Sequence, residues 1–79
     1  MKSLCTISII ANHCTDILFR ISYIFAKYNC KIDKISSDIV NDSKQIKFII
    51  TTKCDNTIAT RIYYQLLKLI DTIKIDISI

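Results

Sequence analysis

Residues 73–79, Ile73-Lys74-Ile75-Asp76-Ile77-Ser78-Ile79, place an isoleucine at every second position with a polar residue between. A period of two marks a strand with one face buried and one face wet. Upstream the period lengthens. From about Asn56 to Ile70, Ile58, Ile62, Leu66 and Leu69 recur at helical spacing, and Asp55 stands where an N-cap accepts from the first free backbone N–H groups. Residues 45–53 alternate again, Ile46, Phe48 and Ile50 against Lys47, Ile49 and Thr51. Asn41-Asp42-Ser43 is a compact turn cluster. Residues 31–40 read as a strand carrying Ile32, Ile35, Ile39 and Val40, and the change of phase between Ile32 and Ile35 predicts a bulge. From about Thr15 to Tyr28 the spacing is helical, with Ile17, Leu18, Ile21, Ile24, Phe25 and Tyr28 on one stripe, and with Thr15 or Cys14 at the helix start. Residues 3–11 complete the set, Cys5, Ile7 and Ile9 on one face and Leu4, Thr6, Ser8 and Ile10 on the other.

The order is βαββαβ. Two βαβ halves, each too small to fold alone, complete one another in a ferredoxin-like α+β fold, a four-stranded antiparallel sheet with both helices on one face. Strand three is expected beside strand one, which leaves strands two and four as edges. The chain has no Gly and no Pro, so left-handed turn positions fall to Asn12, Asn29, Asn41 and Asp42. A single domain, residues 1–79, is expected, with a core thin enough that a partner's surface would extend it usefully.

Composition restricts the functions open to such a chain. It is 51% hydrophobic with a formal charge of +4, which excludes a disordered tail. Nineteen isoleucines and nine lysines beside no Gly, Pro or Glu match an A/T-rich codon bias, except for the missing Glu, and so weaken the basic charge as a sign of nucleic-acid binding. Polar residues interrupt the apolar start at every second position, unlike a signal-peptide core, and Arg20 and Lys27 break the only long apolar candidate for a membrane span. The cytoplasm is the expected compartment. Cys5, Cys14, Cys30 and Cys54 form no CxxC pair and no zinc-like spacing with the single His13, and are expected as free thiols.

Three chemistries deserve a test against the residues. An RNA-binding sheet of this fold needs aromatic rings on its open face, yet the residues expected there are Leu4, Thr6, Ser8, Lys47, Ile49 and Thr51, with Phe48 turned toward the helices. A copper carrier needs two thiolates in the loop after strand one, which holds only Cys14. His13-Cys14 at the mouth of helix one is the nearest approach to a nucleophilic pair, but the sequence makes no third residue evident to orient the imidazole. Arg20, Lys27, Arg61 and Lys68 read as the solvated faces of two helices.

Two segments resemble a known family. Ile9-Ile10-Ala11-Asn12 through Leu18-Phe19-Arg20-Ile21 to Phe25-Ala26-Lys27-Tyr28-Asn29-Cys30-Lys31-Ile32 resembles the ACT domain of the small subunit of acetolactate (acetohydroxyacid) synthase. Gln65-Leu66-Leu67-Lys68-Leu69-Ile70-Asp71 resembles that family's Q-L-x-K-L-x-D-V ending of helix two. Most such subunits carry a second domain after the ACT domain, so the length of this chain looks like the short isozyme II type. The resemblance implies a non-catalytic regulatory subunit in branched-chain amino acid (valine, leucine and isoleucine) biosynthesis. It also implies a homodimer through sheet edges and a large catalytic subunit as partner. That partner would hold thiamine diphosphate, Mg²⁺ and FAD, with no cofactor bound by this chain.

The resemblance further marks an effector loop between strand one and helix one, here Asn12, His13, Cys14, Thr15, Asp16 and Ile17. There the family places an Asn and, three positions on, a Gly against a branched-chain amino acid. Aligned through Arg20 and Phe25, those positions hold His13 and Asp16, and neither matches, so valine insensitivity is expected. The alternatives are a free-standing ACT-type amino-acid sensor and a small basic RNA-binding domain. A pull-down from native extract separates the three by what co-purifies: a thiamine-dependent enzyme, no protein, or RNA.

Overall fold

The computed structural model describes residues 3–40, 42 and 44–78. The elements are β1 (Ser3–Asn12), α1 (Ile17–Lys27), β2 (Ile32–Val40), β3 (Gln45–Cys54), α2 (Asn56–Leu67) and β4 (Thr72–Ser78). They form one antiparallel sheet in the order β2-β3-β1-β4, the ferredoxin-like arrangement expected, with β2 and β4 at the edges. Of the expected turn Asn41-Asp42-Ser43 only Asp42 is described, and Ile79 of the expected last strand also lies outside the described residues.

Alternation decides which side chains meet the helices. Cys5, Ile7, Ile9 and Ala11 of β1, Phe48, Ile50 and Cys54 of β3 and Ile75 of β4 are buried against Ile17, Ile21, Ile24 and Phe25 of α1 and Ala59, Ile62 and Leu66 of α2. Each large apolar side chain removed from water in this way contributes roughly 1.5–3 kcal/mol. Thr52, the one buried polar residue named with this core, hydrogen-bonds through its hydroxyl to the Lys31 carbonyl and lies 3.1 Å from the Cys30 thiol. That bond ties the entry of β2 to β3 where the ladder slips between Ile32 and Lys34, the bulge that the change of phase predicts.

Several boundaries depart from the sequence expectation. Helix α1 begins two residues later than Thr15, with Asp16 as its N-cap. Its far end needs a left-handed residue, and Asn29 supplies it at φ 53 while the Cys30 N–H reaches back to the Phe25 carbonyl at 2.9 Å. Asp42 is the other left-handed position among the described residues; Asn12, expected as one, instead closes β1 opposite Gln45. Helix α2 is capped as expected, the Asp55 carboxylate accepting from the Ile58 N–H at 2.8 Å. It stops at Leu67, and Lys68–Asp71 forms a turn that leaves Ile70 93% exposed. Leu18, expected on the buried stripe, is also exposed. In β4, Ile73 is the extra residue where the pairing steps from Ala11↔Thr72 to Ile10↔Lys74, so it leaves the alternating buried set.

The two edges differ. In β2, Ile35 and Ile39 stand opposite Ile50 and Ile46, on the helix side of the sheet, yet they are 41% and 56% exposed because the helices leave this edge uncovered. In β4, Lys74 and Asp76 pair with each other at 3.8 Å on the wet side.

Candidate functional site

Three connections converge at one end of the sheet. The loop after β1 is pinned on both sides: the Asn12 N–H donates to the Asp71 carbonyl at 2.7 Å, and the His13 N–H to the Lys44 carbonyl at 3.0 Å. The loop closes on itself where the Ile17 N–H approaches the Cys14 carbonyl at 3.3 Å, and the helix ladder starts with the Arg20 N–H on the Asp16 carbonyl. Asn12, His13, Thr15 and Asp16 are exposed, Cys14 is half-buried and Ile17 is buried as a core residue.

Arg20 organises the charges here. Its Nε binds Asp16 Oδ2 at 2.9 Å and its Nη1 binds Asp71 Oδ2 at 3.2 Å, so one guanidinium holds two carboxylates from connections 55 residues apart in the chain. The Asp16 side chain makes no cap bond to α1 and is spent on Arg20 instead. The same two carboxylates face Cys14, whose Sγ lies 3.4 Å from Asp71 Oδ2 and 3.7 Å from Asp16 Oδ1. Desolvation, then Asp71 and Asp16, raises the Cys14 pKa above that of an ordinary thiol. A thiol kept protonated by two carboxylates is a poor nucleophile, so the His13-Cys14 arrangement lacks the electropositive setting that a reactive cysteine needs.

A second group of thiols lies at the opposite end of β1. Cys5 Sγ and Cys54 Sγ approach to 3.5 Å, with Cys30 nearby against Thr52, and all three are buried. Desolvation, followed by Cys5 and Cys30, pushes Cys54 up to about 12. These thiols behave as core side chains. Among the described residues no cluster of three or more His, Cys, Asp or Glu is arranged to hold a metal ion.

The open face of the sheet matches the sequence reading. Thr6 pairs with Thr51, Ser8 with Ile49 and Ile10 with Lys47, while Phe48 is buried beneath the helices. Exposed rings occur on the other side of the molecule, at Phe19 and Tyr23 of α1 and Tyr64 of α2. The reading of the helix faces as plainly solvated is therefore incomplete.

Sequence reasoning placed the loop but missed Asp71 and Lys44 as its supports. A signal for Asp71 was present, since it closes the Gln65–Asp71 segment that carries half of the family resemblance. The other half contains Arg20, and the Arg20–Asp71 contact joins the two segments in space.

The strand order and the two helices define a fold of the ACT, ferredoxin-like type. Over 94% of its length the chain is similar to the acetolactate synthase small subunit from Thermotoga maritima, with a TM-score of 0.82 and 18% identity, and it spans 46% of that chain. It is similar over 99% of its length to the whole ACT domain from the GTP pyrophosphokinase of Chlorobium tepidum, with a TM-score of 0.83 and 15% identity. The regulatory subunit of aspartate kinase from Thermus thermophilus is similar over 95% of this chain and 50% of its own, with a TM-score of 0.75 and 14% identity. At these identities the likeness is one of fold. No protein-family model matches the sequence, and no curated protein matches it by sequence. None of the helices among the described residues is long and apolar enough to cross a membrane.

Proposed function

We propose that this chain is the non-catalytic small subunit of a cytoplasmic acetolactate synthase and raises the activity of a large catalytic subunit. The observation that carries the reading is the Arg20–Asp71 contact, because it unites the two sequence segments that resemble this subfamily within an ACT-type fold. Thiamine diphosphate, Mg²⁺ and FAD would be held by the large subunit. In this chain Asp16 and Asp71 are already engaged by Arg20, and no glycine allows a close backbone cradle for a phosphate. Mixing the chain with the large subunit encoded by the same genome, and following acetolactate formation from pyruvate, tests the assignment.

Assembly belongs to the same reading. An uncovered strand edge offers a row of backbone donors and acceptors to another chain. The β2 edge carries uncovered Ile35 and Ile39, whereas β4 carries the Lys74–Asp76 pair. A two-fold axis at Ser37 would set Ile35 opposite the partner subunit's Ile39, and Ile39 opposite the partner subunit's Ile35. The four side chains would cover one another, joining two sheets into one.

The loop is proposed to be a poor effector site. Asp16 and Asp71 share a single guanidinium, which leaves one negative charge in excess beside the backbone where an amino-acid carboxylate would approach. Two like charges about 4 Å apart repel by roughly 4 kcal/mol at an effective dielectric near 20, and Arg20 offsets part of this. Calorimetric titration with valine, leucine and isoleucine is expected to give dissociation constants no tighter than millimolar. A micromolar constant for any of the three would contradict the charge argument.

A further inference from the structure

The thiols at the end of the sheet far from the loop have no part in the reading above, yet two of them stand together. The register sets Cys5 opposite Thr52 and Cys54 opposite Ser3, so Cys5 and Cys54 are diagonal neighbours on the buried face of β1 and β3. Their sulfurs lie 3.5 Å apart, and the Cys5 sulfur is 3.8 Å from the Cys54 carbonyl. The pair can be reached from water. A pocket of about 160 Å³ has Cys54 in its lining, together with Cys30. Tyr28 and Ile58 give it apolar walls, and Lys53 and Asp55 add one charge of each sign, the Asp55 carboxylate being engaged by the Ile58 N–H.

We propose that Cys5 and Cys54 form a dithiol site for a trivalent arsenical that carries one small organic group. Each thiol gives its proton to an arsenic-bound hydroxyl: R–As(OH)2 + 2 Cys–SH → R–As(S–Cys)2 + 2 H2O. Two As–O and two S–H bonds break, two As–S and two O–H bonds form, and no atom changes oxidation state. Charge selects this occupant. Burial, with Cys5 and Cys30 beside it, pushes Cys54 up to about 12, so the site disfavours a complex that keeps negative charge. A soft copper(I) ion held by two thiolates keeps one, whereas the arsenic dithiolate is neutral. Geometry selects it as well. The bonds of pyramidal arsenic(III) lie near right angles and hold two sulfurs close together, as these are, while two-coordinate mercury(II) or copper(I) is linear and needs them on opposite sides of the ion. Zinc asks for four ligands. The organic group would lie in the pocket between Tyr28 and Ile58. The inference depends on the fold and its thiols, and it stands whether or not the chain is a synthase subunit.

The test uses the reduced full chain with methylarsonous acid as the probe, read by intact mass and by alkylation. One arsenic per chain is expected, taken up with the loss of two water molecules. When the loaded chain is then opened in urea, Cys14 and Cys30 should be alkylated while Cys5 and Cys54 are protected. 2,3-Dimercaptopropanol should strip the arsenic and glutathione at equal thiol concentration should leave it, because two sulfurs on one atom gain from effective concentration. Cys5→Ala and Cys54→Ala are each expected to weaken binding by roughly a hundredfold, and Cys14→Ser to leave it unchanged. Should an alanine variant melt early, the alkylation pattern of the wild-type chain decides by itself. The inference is overturned if the folded chain takes up no arsenic, if Cys5 or Cys54 is alkylated in the loaded chain, or if both alanine variants bind as wild type does.

Discussion

Replacing Ile35 and Ile39 together by lysine is expected to turn a dimer into a monomer without unfolding the chain. Both side chains are already 41% and 56% exposed in the isolated subunit, so the monomer loses little when they change. At the proposed seam the same change sets four lysines against one another. Burying an ammonium without a partner costs several kcal/mol after relaxation, and four of them would lower the association constant by well over a hundredfold. Light scattering at micromolar concentration should give twice the chain mass for wild type and one chain mass for the variant, with matching circular dichroism. A wild-type monomer, with and without the large subunit, would remove the seam.

Phe48→Ala is expected to bring the domain to the edge of unfolding. Phe48 is 1% exposed in β3, paired with Ile9 of β1 and roofed by the helices. Truncating a buried Phe costs about 3–5 kcal/mol, part lost transfer energy and part cavity. A domain of this size has a total stability of only about 4–12 kcal/mol, so there is little left to lose. Urea unfolding should show a midpoint far below that of wild type, whereas Ile49→Ala, the neighbour on the open face, should change it little. Equal midpoints for the two variants would mean that the sheet is turned over relative to the helices.

The sheet was legible because its strands alternate, and alternation survives in a chain without glycine or proline. Ile7, Ile9, Phe48, Ile50 and Ile75 fell on the buried face as their spacing required, and the phase change in β2 became a bulge at Asp33. Helix α2 was read three residues too long for a physical reason. Lys68-Leu69-Ile70-Asp71 contains no residue that stops a helix, and the stop comes from tertiary bonding, the Asp71 carbonyl accepting from Asn12. Ile73 misled in the same way, since a bulge shared with β1 is a property of two strands. The loop residues 12–17 could be placed from sequence, but their charge balance could not. It depends on Arg20 meeting Asp71 across 51 positions, and no local pattern carries that information. The exposed rings Phe19, Tyr23 and Tyr64 went unread because each looks ordinary one helix at a time.

The central claim is that this chain activates a catalytic subunit through binding alone. A binding partner raises a rate only by favouring the active conformation, so a tenfold gain requires about 1.4 kcal/mol of differential affinity for that state. The direct measurement is the rate of acetolactate formation from pyruvate by the large subunit of the same genome, titrated with this chain at saturating thiamine diphosphate, Mg²⁺ and FAD. The account predicts no pyruvate consumption by the chain alone and a saturable rise in rate, on the order of tenfold, when the two are mixed. A rate and cofactor affinities that stay unchanged at every ratio of the two subunits would contradict it.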